Sequence, residues 1–222
     1  MTTSRRITIL GSGNMGGALG TTWARAGHTV VFTFARDRRR LETLATGAGS
    51  TARAGEPAEA VQGSDIVMLA VPWDAVDDAL AATGSLDGKV LLTCVSALRP
   101  DFTGATMGLP ATVDRSAAEI IAERAPGARV VEAFNTTFAE TIGSAQSFAP
   151  GKPSVWYCGG DDDAKSIAAS LIDDCGFDSV DAGPLVAART IETLASVWVQ
   201  TAVVAGRYPN VTLSVLPRAT TA

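Results

Sequence analysis

A single histidine, His28, stands in a chain of 222 residues, so a histidine-cluster metal site is excluded and any Ser-His-Asp triad would rest on that one residue. Cysteine is scarce as well. Cys94, Cys158 and Cys175 form no C-x-x-C pair, which excludes a disulfide framework and a cysteine zinc site. Basic residues are outnumbered, 18 Lys and Arg against 23 Asp and Glu, and a formal charge of −5 argues against a nucleic-acid partner. Long apolar runs are missing too. The uncharged stretch 7–24 behind Arg5-Arg6 imitates a twin-arginine signal or a membrane span, but Gly11, Ser12, Gly13, Asn14, Gly16, Gly17 and Gly20 break it. A spanning helix wants about 20 predominantly apolar residues. The expectation is a cytoplasmic chain without a membrane partner.

What is present is enough apolar material for a sizeable core: 46% of residues are hydrophobic and only 18% charged. Short β-rich runs recur at 7–10, 29–34, 65–71, 89–95, 129–134, 154–158 and 178–180. Between most of them lie Ala-rich stretches of helical period, with Met15, Leu19, Trp23 and Ala26 on one face, and Val76 and Leu80 further on. That alternation predicts an α/β fold with a doubly wound, mostly parallel sheet whose strands are apolar on both faces. The segment 146–153, with Pro150, Gly151 and Pro153, places a soft boundary between a body at 1–148 and a smaller C-terminal lobe at 149–222. Residues 186–205 read as a mostly apolar helix carrying Ile191, Leu194 and Trp198, which should cover the sheet, a pocket or the second subunit of a homodimer. Beyond Arg207, Pro209 and Pro217 suggest an extended arm that frays.

The sequence ITILGSGNMGGAL sets Gly11, Gly13 and Gly16 in G-x-G-x-x-G spacing directly after an expected strand and at the start of an expected helix. Gly11 permits the tight turn, Gly13 lets backbone approach a pyrophosphate, and Gly16 allows helix to pack closely on strand; the helix start adds unpaired N–H groups and a positive dipole end. Ser12, Asn14 and Met15 can add contacts. The alternative is a glycine-rich packing turn, but the strand-before, helix-after context favours a dinucleotide.

An NAD site expects a carboxylate about 20 residues on, at the end of the second strand, to hold the ribose 2′-OH. Here the region reads Val31-Phe32-Thr33-Phe34-Ala35-Arg36, without one. Arg36 and Arg40 instead offer guanidinium forks suited to the 2′-phosphate of NADP. Asp37, just before RRRLETLA, reads better as a helix N-cap, and Arg38 and Arg39 as a solvated helix face.

These residues resemble the NADP-dependent oxidoreductases of coenzyme F420, small deazaflavin-linked reductases. The pieces are GSGNMG at 11–16, the Arg36 and Arg40 pair, AVPWDAV at 70–76, RSAAEIIAE at 115–123, AFNTTFA at 133–139, CGGDDDAKS at 158–166 and DAGPL at 181–185, which together cover nearly the whole chain. The resemblance implies an NADP-binding Rossmann domain at 1–148, a small acceptor and dimerisation lobe at 149–222, and a deazaflavin ring lying over the nicotinamide between them. It carries cofactor contacts onto Gly13, Asn14 and Met15, onto Arg36 and Arg40, and onto Pro72 in the loop after the fourth strand. Ala133, Phe134, Asn135 and Thr136 match the stretch that lines the nicotinamide and the acceptor. The full set expected to hold the cofactor is Gly11, Ser12, Gly13, Asn14, Met15, Gly16, Thr33, Arg36, Arg40, Val71, Pro72, Trp73 and Ala133. CVSAL at 94–98 and FNTT at 134–137 depart from the acceptor-side residues of the characterised reductases, so the NADP half transfers better than the acceptor half. β-Hydroxyacid dehydrogenases and pyrroline-carboxylate reductases carry a long helical domain for which this chain is too short, and none of Lys89, Lys152 and Lys165 suits the former group's catalytic lysine.

Hydride transfer between stacked rings obliges no strong acid or base, which suits a chain with one histidine. No catalytic acid or base is assigned. Tyr157 reads as strand core, His28 as a helix stop, Asp161, Asp162 and Asp163 as helix capping, and Cys94 and Cys158 as small buried hydrophobes. Trp73 is either packed or facing the ligand. Two other functions stay open: NADPH-dependent reduction of a small imine, ketone or quinone, and an NADP-binding sensor that does not turn over. An acceptor site would expose a cleft above 133–136; a sensor would have it filled.

Overall fold

The computed structural model describes residues 3–100, 107–108, 114–149, 151–216 and 218. In chain order the elements are β1 Arg6–Leu10, α1 Asn14–Arg25, β2 Thr29–Thr33, α2 Arg38–Ala48, β3 Ala52–Ala54, α3 Pro57–Gln62, β4 Ile66–Leu69, α4 Val76–Ala81, β5 Val90–Thr93, β6 Arg99–Pro100, β7 Met107–Gly108, α5 Ala117–Arg124, β8 Arg129–Ala133, β9 Ser154–Gly159, α6 Asp162–Asp174, β10 Asp178–Asp181 and α7 Ala188–Val204. Each run expected to be a strand contains one.

Eight strands form one sheet in the order β10-β9-β8-β5-β4-β1-β2-β3, and β6 and β7 pair antiparallel in a separate two-stranded sheet. From β3 to β8 every pairing is parallel; β9 then runs antiparallel to β8, with Val131 opposite Gly159, and β10 follows β9 in parallel. The chain from Ser154 onward therefore extends the same sheet.

Both faces are covered, which is why the strands are apolar almost throughout. Ile7, Ile9, Phe32 and Met68 pack on one side with Trp23 of α1 and Leu171 of α6. Leu10, Val67, Leu69 and Leu91 pack on the other with Val76 of α4 and Ile121 of α5. The period of two inside each strand sorts the side chains between these layers.

Several ends are closed as their residues dictate. Asp37 caps α2 by accepting from Arg39 N, and Asp161 caps α6 by accepting from Ala164 N. Ser116 and Glu119 form a reciprocal capping box on α5. His28 is fully buried: its Nδ1 accepts from Arg5 N at 3.1 Å, and its Nε2 lies 3.0 Å from Asp174 Oδ2. The ring thus ties the start of β1 to the end of α6. Cys175 is the C-cap of α6, and Gly176 beyond it takes the left-handed conformation. Cys158 lies in β9, whereas Cys94 falls just past β5 and is only half-buried.

The arm after Arg207 returns to the sheet. Residues 211–216 run beside the start of β9, where Ser154 N donates to Leu213 O at 2.9 Å and Val215 N donates to Ser154 Oγ at 2.9 Å. These two bonds tie the arm to β9; Pro217 lies outside the described residues. No helix among the described residues is long and apolar enough to cross a membrane.

Candidate functional site

The chain leaves β1 to build β2 and β3 on one side and returns to β4 on the other, so loops diverge above the carboxyl ends of β1 and β4. An open α/β sheet binds its ligand at such a reversal of strand order. A cleft of about 710 Å³ lies there. Gly11, Ser12 and Gly13 line it from β1, Phe34 to Asp37 and Arg40 from β2 and α2, and Ala70, Val71, Pro72, Asp74, Ala75 and Asp78 from β4 and α4.

The glycine loop is held by its own packing. Gly11 has φ +95°, and a Cβ there would meet Ala70 O and Val71 Cγ1 at 2.5 Å. A Cβ on Gly16 would sit 2.0 Å from Gly11 O, which fixes the close approach of α1 to β1. Gly13 is the contrast: its Cβ would meet nothing within 4 Å. Its bare backbone borders the cleft at the head of α1, and α1 has no acidic residue in its first turn and no side-chain cap. A pyrophosphate fits that cradle, because the helix start offers unpaired N–H groups and nothing of the chain's own fills the space.

The arginines divide. Arg40 donates from Nε to Ser12 O at 2.7 Å and from Nη2 to Asn14 Oδ1 at 3.4 Å, so it is fastened to the glycine loop. Arg36 is exposed at the cleft wall. Arg38 turns away to Glu42 and Glu56. Phe34, with φ 54°, makes the sharp exit from β2 that brings Ala35 and Arg36 over the cleft.

Of the residues expected to hold the cofactor, Gly11, Ser12, Gly13, Arg36, Arg40, Val71 and Pro72 meet in this one cleft. The others lie outside its lining. Asn14 holds Arg40, Met15 packs on the core, and Gly16 sits between helix and strand. Thr33 is buried and donates its hydroxyl to Ile9 O at 2.8 Å, while its carbonyl accepts from Ser12 Oγ and Gly11 N. Trp73 is partly buried against the core, with the Arg124 guanidinium 5.4 Å from its ring centroid. Ala133 and Phe134 are fully buried, and Asn135 and Thr136 nearly so, at the end of β8. Tyr157 is buried in β9, and Trp198 stacks on Phe138 at 6.0 Å.

The cleft also holds carboxylates that sequence reasoning passed over, Asp74 and Asp78. More telling is a buried pair near β8. Glu132 is fully buried, and burial first, then the charge of Glu192, pushes its carboxyl well up. Glu192 on α7 accepts from Ala118 N at 3.2 Å, and burial raises it to about 7. The signal for Glu132 was a carboxylate flanked by apolar residues in the run VVEAF that follows Arg129. Burial pushes the Cys158 thiol up to about 12, so it is not an available nucleophile at neutral pH.

Residues 6–97 match the family model described as NADP oxidoreductase, coenzyme F420-dependent. A crystal structure from Arthrobacter sp. FB24, assigned as an F420-dependent NADP-reductase, is similar with a TM-score of 0.81 at 27% identity, covering 91% of this chain and 96% of that one. A hypothetical protein from Sinorhizobium meliloti is similar at 30% identity with a TM-score of 0.72, covering 85% of this chain and 88% of that one. Among curated proteins, the metalloreductase STEAP3 of Rattus norvegicus is 27% identical over 189 residues, 85% of this chain. The chain spans 36% of that relative's length.

Proposed function

The chain belongs to the family of coenzyme F420-dependent NADP oxidoreductases, and from that premise we propose that it binds NADP(H) in the cleft above β1 and β4 and transfers hydride between NADPH and a deazaflavin acceptor of the F420 type. The observation that carries the first half is the convergence of Gly13, Arg36 and Arg40 on one wall of one cleft. The bare backbone of Gly13 and the start of α1 would take the pyrophosphate. Arg36 would take the 2′-phosphate, with Arg40 bracing the loop beside it through Ser12 O. The carboxylate nearest the end of β2, Asp37, also lines the cleft, but its Oδ1 is engaged in capping α2, which leaves the two arginines as the groups read for the ribose side.

When bound, NADPH supplies the hydride, and the acceptor takes it up to leave NADP+. The chain's part is to bind, orient and keep water out, which is where proximity gives its rate. Residues 1–148 would hold the dinucleotide, and 149–222 would supply the acceptor side and the contacts of a homodimer. The buried stretch from Ala133 to Thr136 would form the floor beneath the reacting rings.

The test mixes the purified chain with NADPH and oxidised F420 and follows the deazaflavin absorbance band, against a control without acceptor. Rapid reduction is expected. Bound NADPH with no reduction would overturn the F420 assignment and favour the second reading, a small imine, ketone or quinone acceptor, to which the departing FNTT stretch lends support.

A further inference from the structure

Past Arg129 at its start, strand β8 is apolar except at Glu132, which is fully buried and stands in register between Thr93 of β5 and Cys158 of β9. A carboxyl so placed demands partners. Its Oε1 accepts from Asn135 Nδ2, across a turn in which Phe134 takes a left-handed φ of 67°. Its Oε2 accepts from Cys158 Sγ at 4.0 Å. Asn135 thus has its amide nitrogen turned back to Glu132, and its Oδ1 is buried without a partner.

Two neighbours share that condition. Thr136 Oγ1 is buried and unpartnered, as is Ser96 Oγ in the loop beyond β5. β5 and β8 pair in parallel with Thr93 opposite Glu132, so Ser96 and Asn135 each stand the same short distance past the last rungs of adjacent strands. This is the carboxyl edge that also carries the glycine loop and Pro72. Buried polar atoms in folded proteins nearly always have partners, so three at adjacent strand ends point to a ligand.

We propose that Glu132 positions the Asn135 amide, and that Asn135, Ser96 and Thr136 together form a polar subsite for an amide group, an N–H beside a C=O, on a planar ring ligand. The inference rests on the oxidoreductase reading above. Asn135 Oδ1 accepts the ligand N–H, and the two hydroxyls donate to its carbonyl. Glu132 keeps the amide from turning over, which would present a donor where an acceptor is needed. The titratable groups around Glu132 are Glu192 from α7, Cys158 from β9 and Cys94 beyond β5, none of them a cation. Burial and the like charge of Glu192 favour the uncharged acid, which makes glutamine a close mimic.

Such an amide has two sources, the nicotinamide carboxamide and the dione edge of the acceptor ring. The experiment separates them with Glu132→Leu, Glu132→Gln, Asn135→Ala and Thr136→Val, each checked for folding by thermal denaturation. Calorimetry gives Kd for NADPH and for adenosine 2′,5′-bisphosphate, which lacks nicotinamide; fluorescence quenching gives Kd for oxidised F420. If the subsite reads the carboxamide, Glu132→Leu and Asn135→Ala weaken NADPH by about tenfold and leave the bisphosphate unchanged. If it reads the acceptor, F420 weakens by a similar factor and NADPH does not. In either case Glu132→Gln stays close to wild type. Equal losses in Glu132→Gln and Glu132→Leu overturn the positioning role, and Asn135→Ala and Thr136→Val with all three constants unchanged overturn the subsite. A wild-type chain that binds no NADPH overturns the oxidoreductase reading itself, whereas a binding wild type with unaffected variants overturns this inference alone. Should Glu132→Leu fail to fold, Asn135→Ala and Thr136→Val still decide the subsite.

Discussion

Arg40 donates from Nε to the carbonyl of Ser12 at 2.7 Å, so a residue that reads as a phosphate ligand also buckles the glycine loop to α2. Arg36, exposed in the lining of the same cleft, has no such tie to the loop, and under the function proposed above it would meet the charge that distinguishes NADP from NAD.

The two arginines should therefore separate in their variants. Arg36→Ala removes a charge-assisted partner of the 2′-phosphate, a loss of roughly 1.5–3 kcal/mol, or about 10- to 150-fold in Kd for NADPH, with little change for NADH. Arg40→Ala frees Ser12 and should weaken both cofactors. Titration of both variants with both cofactors checks this; an equal loss for the two cofactors in Arg36→Ala would refute its assignment.

Much of this was legible beforehand because it is local. A strand of apolar residues running into Gly11, Gly13 and Gly16 dictates its own turn, and an absent carboxylate before Asp37 is read directly from the chain. What stayed hidden is non-local or small. β3 is three residues of ARA, too short to show a period. The reversal of β9 against β8 changes no residue pattern, since a buried strand is apolar in either direction. Trp73 follows Pro72 of the cleft, yet its ring packs under Arg124, a partner far off in sequence. Glu192 comes near enough to act on Glu132 only because α7 folds back against α5 and β9.

Gly13 and Gly16 should fail in different ways. Gly13→Val places its side chain in open space, so the fold and Tm hold while NADPH and NADH are both lost to a clash at the pyrophosphate. Gly16→Ala puts a carbon 2.0 Å from Gly11 O and should lower stability by about 1–3 kcal/mol before any ligand is added. Thermal melts with and without NADPH distinguish the two; retained cofactor affinity in Gly13→Val would remove the loop from the site.

His28 should prove structural. Replacing it with Ala leaves Arg5 N without its acceptor and Asp174 without its ring partner, and opens a cavity between β1 and α6. A loss of roughly 2–4 kcal/mol in urea denaturation is expected, with the Kd for NADPH unchanged where the variant is folded. A variant of normal stability that has lost hydride transfer would reverse this assignment.

The pH dependence of stability should carry the mark of Glu192. Burial raises its carboxyl from the ordinary 4.5 to about 7, against the pull of the N–H groups of Ala117 and Ala118. The folded chain therefore holds this proton more tightly than the unfolded chain does. Its contribution is fully present below about 4.5 and is lost as pH rises through about 7, an effect on the order of 3 kcal/mol. Glu119 acts in the opposite sense: its bond to Arg189 holds it down at about 2, so its contribution is present above the ordinary 4.5 and fades as pH falls toward 2. Between pH 5 and 7 only the raised groups contribute to the slope from this set. Glu192→Gln keeps an acceptor for Ala118 N but cannot ionise, so urea denaturation at pH 5, 6 and 7 should show a shallower decline than wild type. The variant should also be the more stable of the two at pH 8. Parallel curves for the two proteins across this range would mean that Glu192 gives up its proton as readily inside the fold as outside it, and that α7 does not seal the carboxyl against α5.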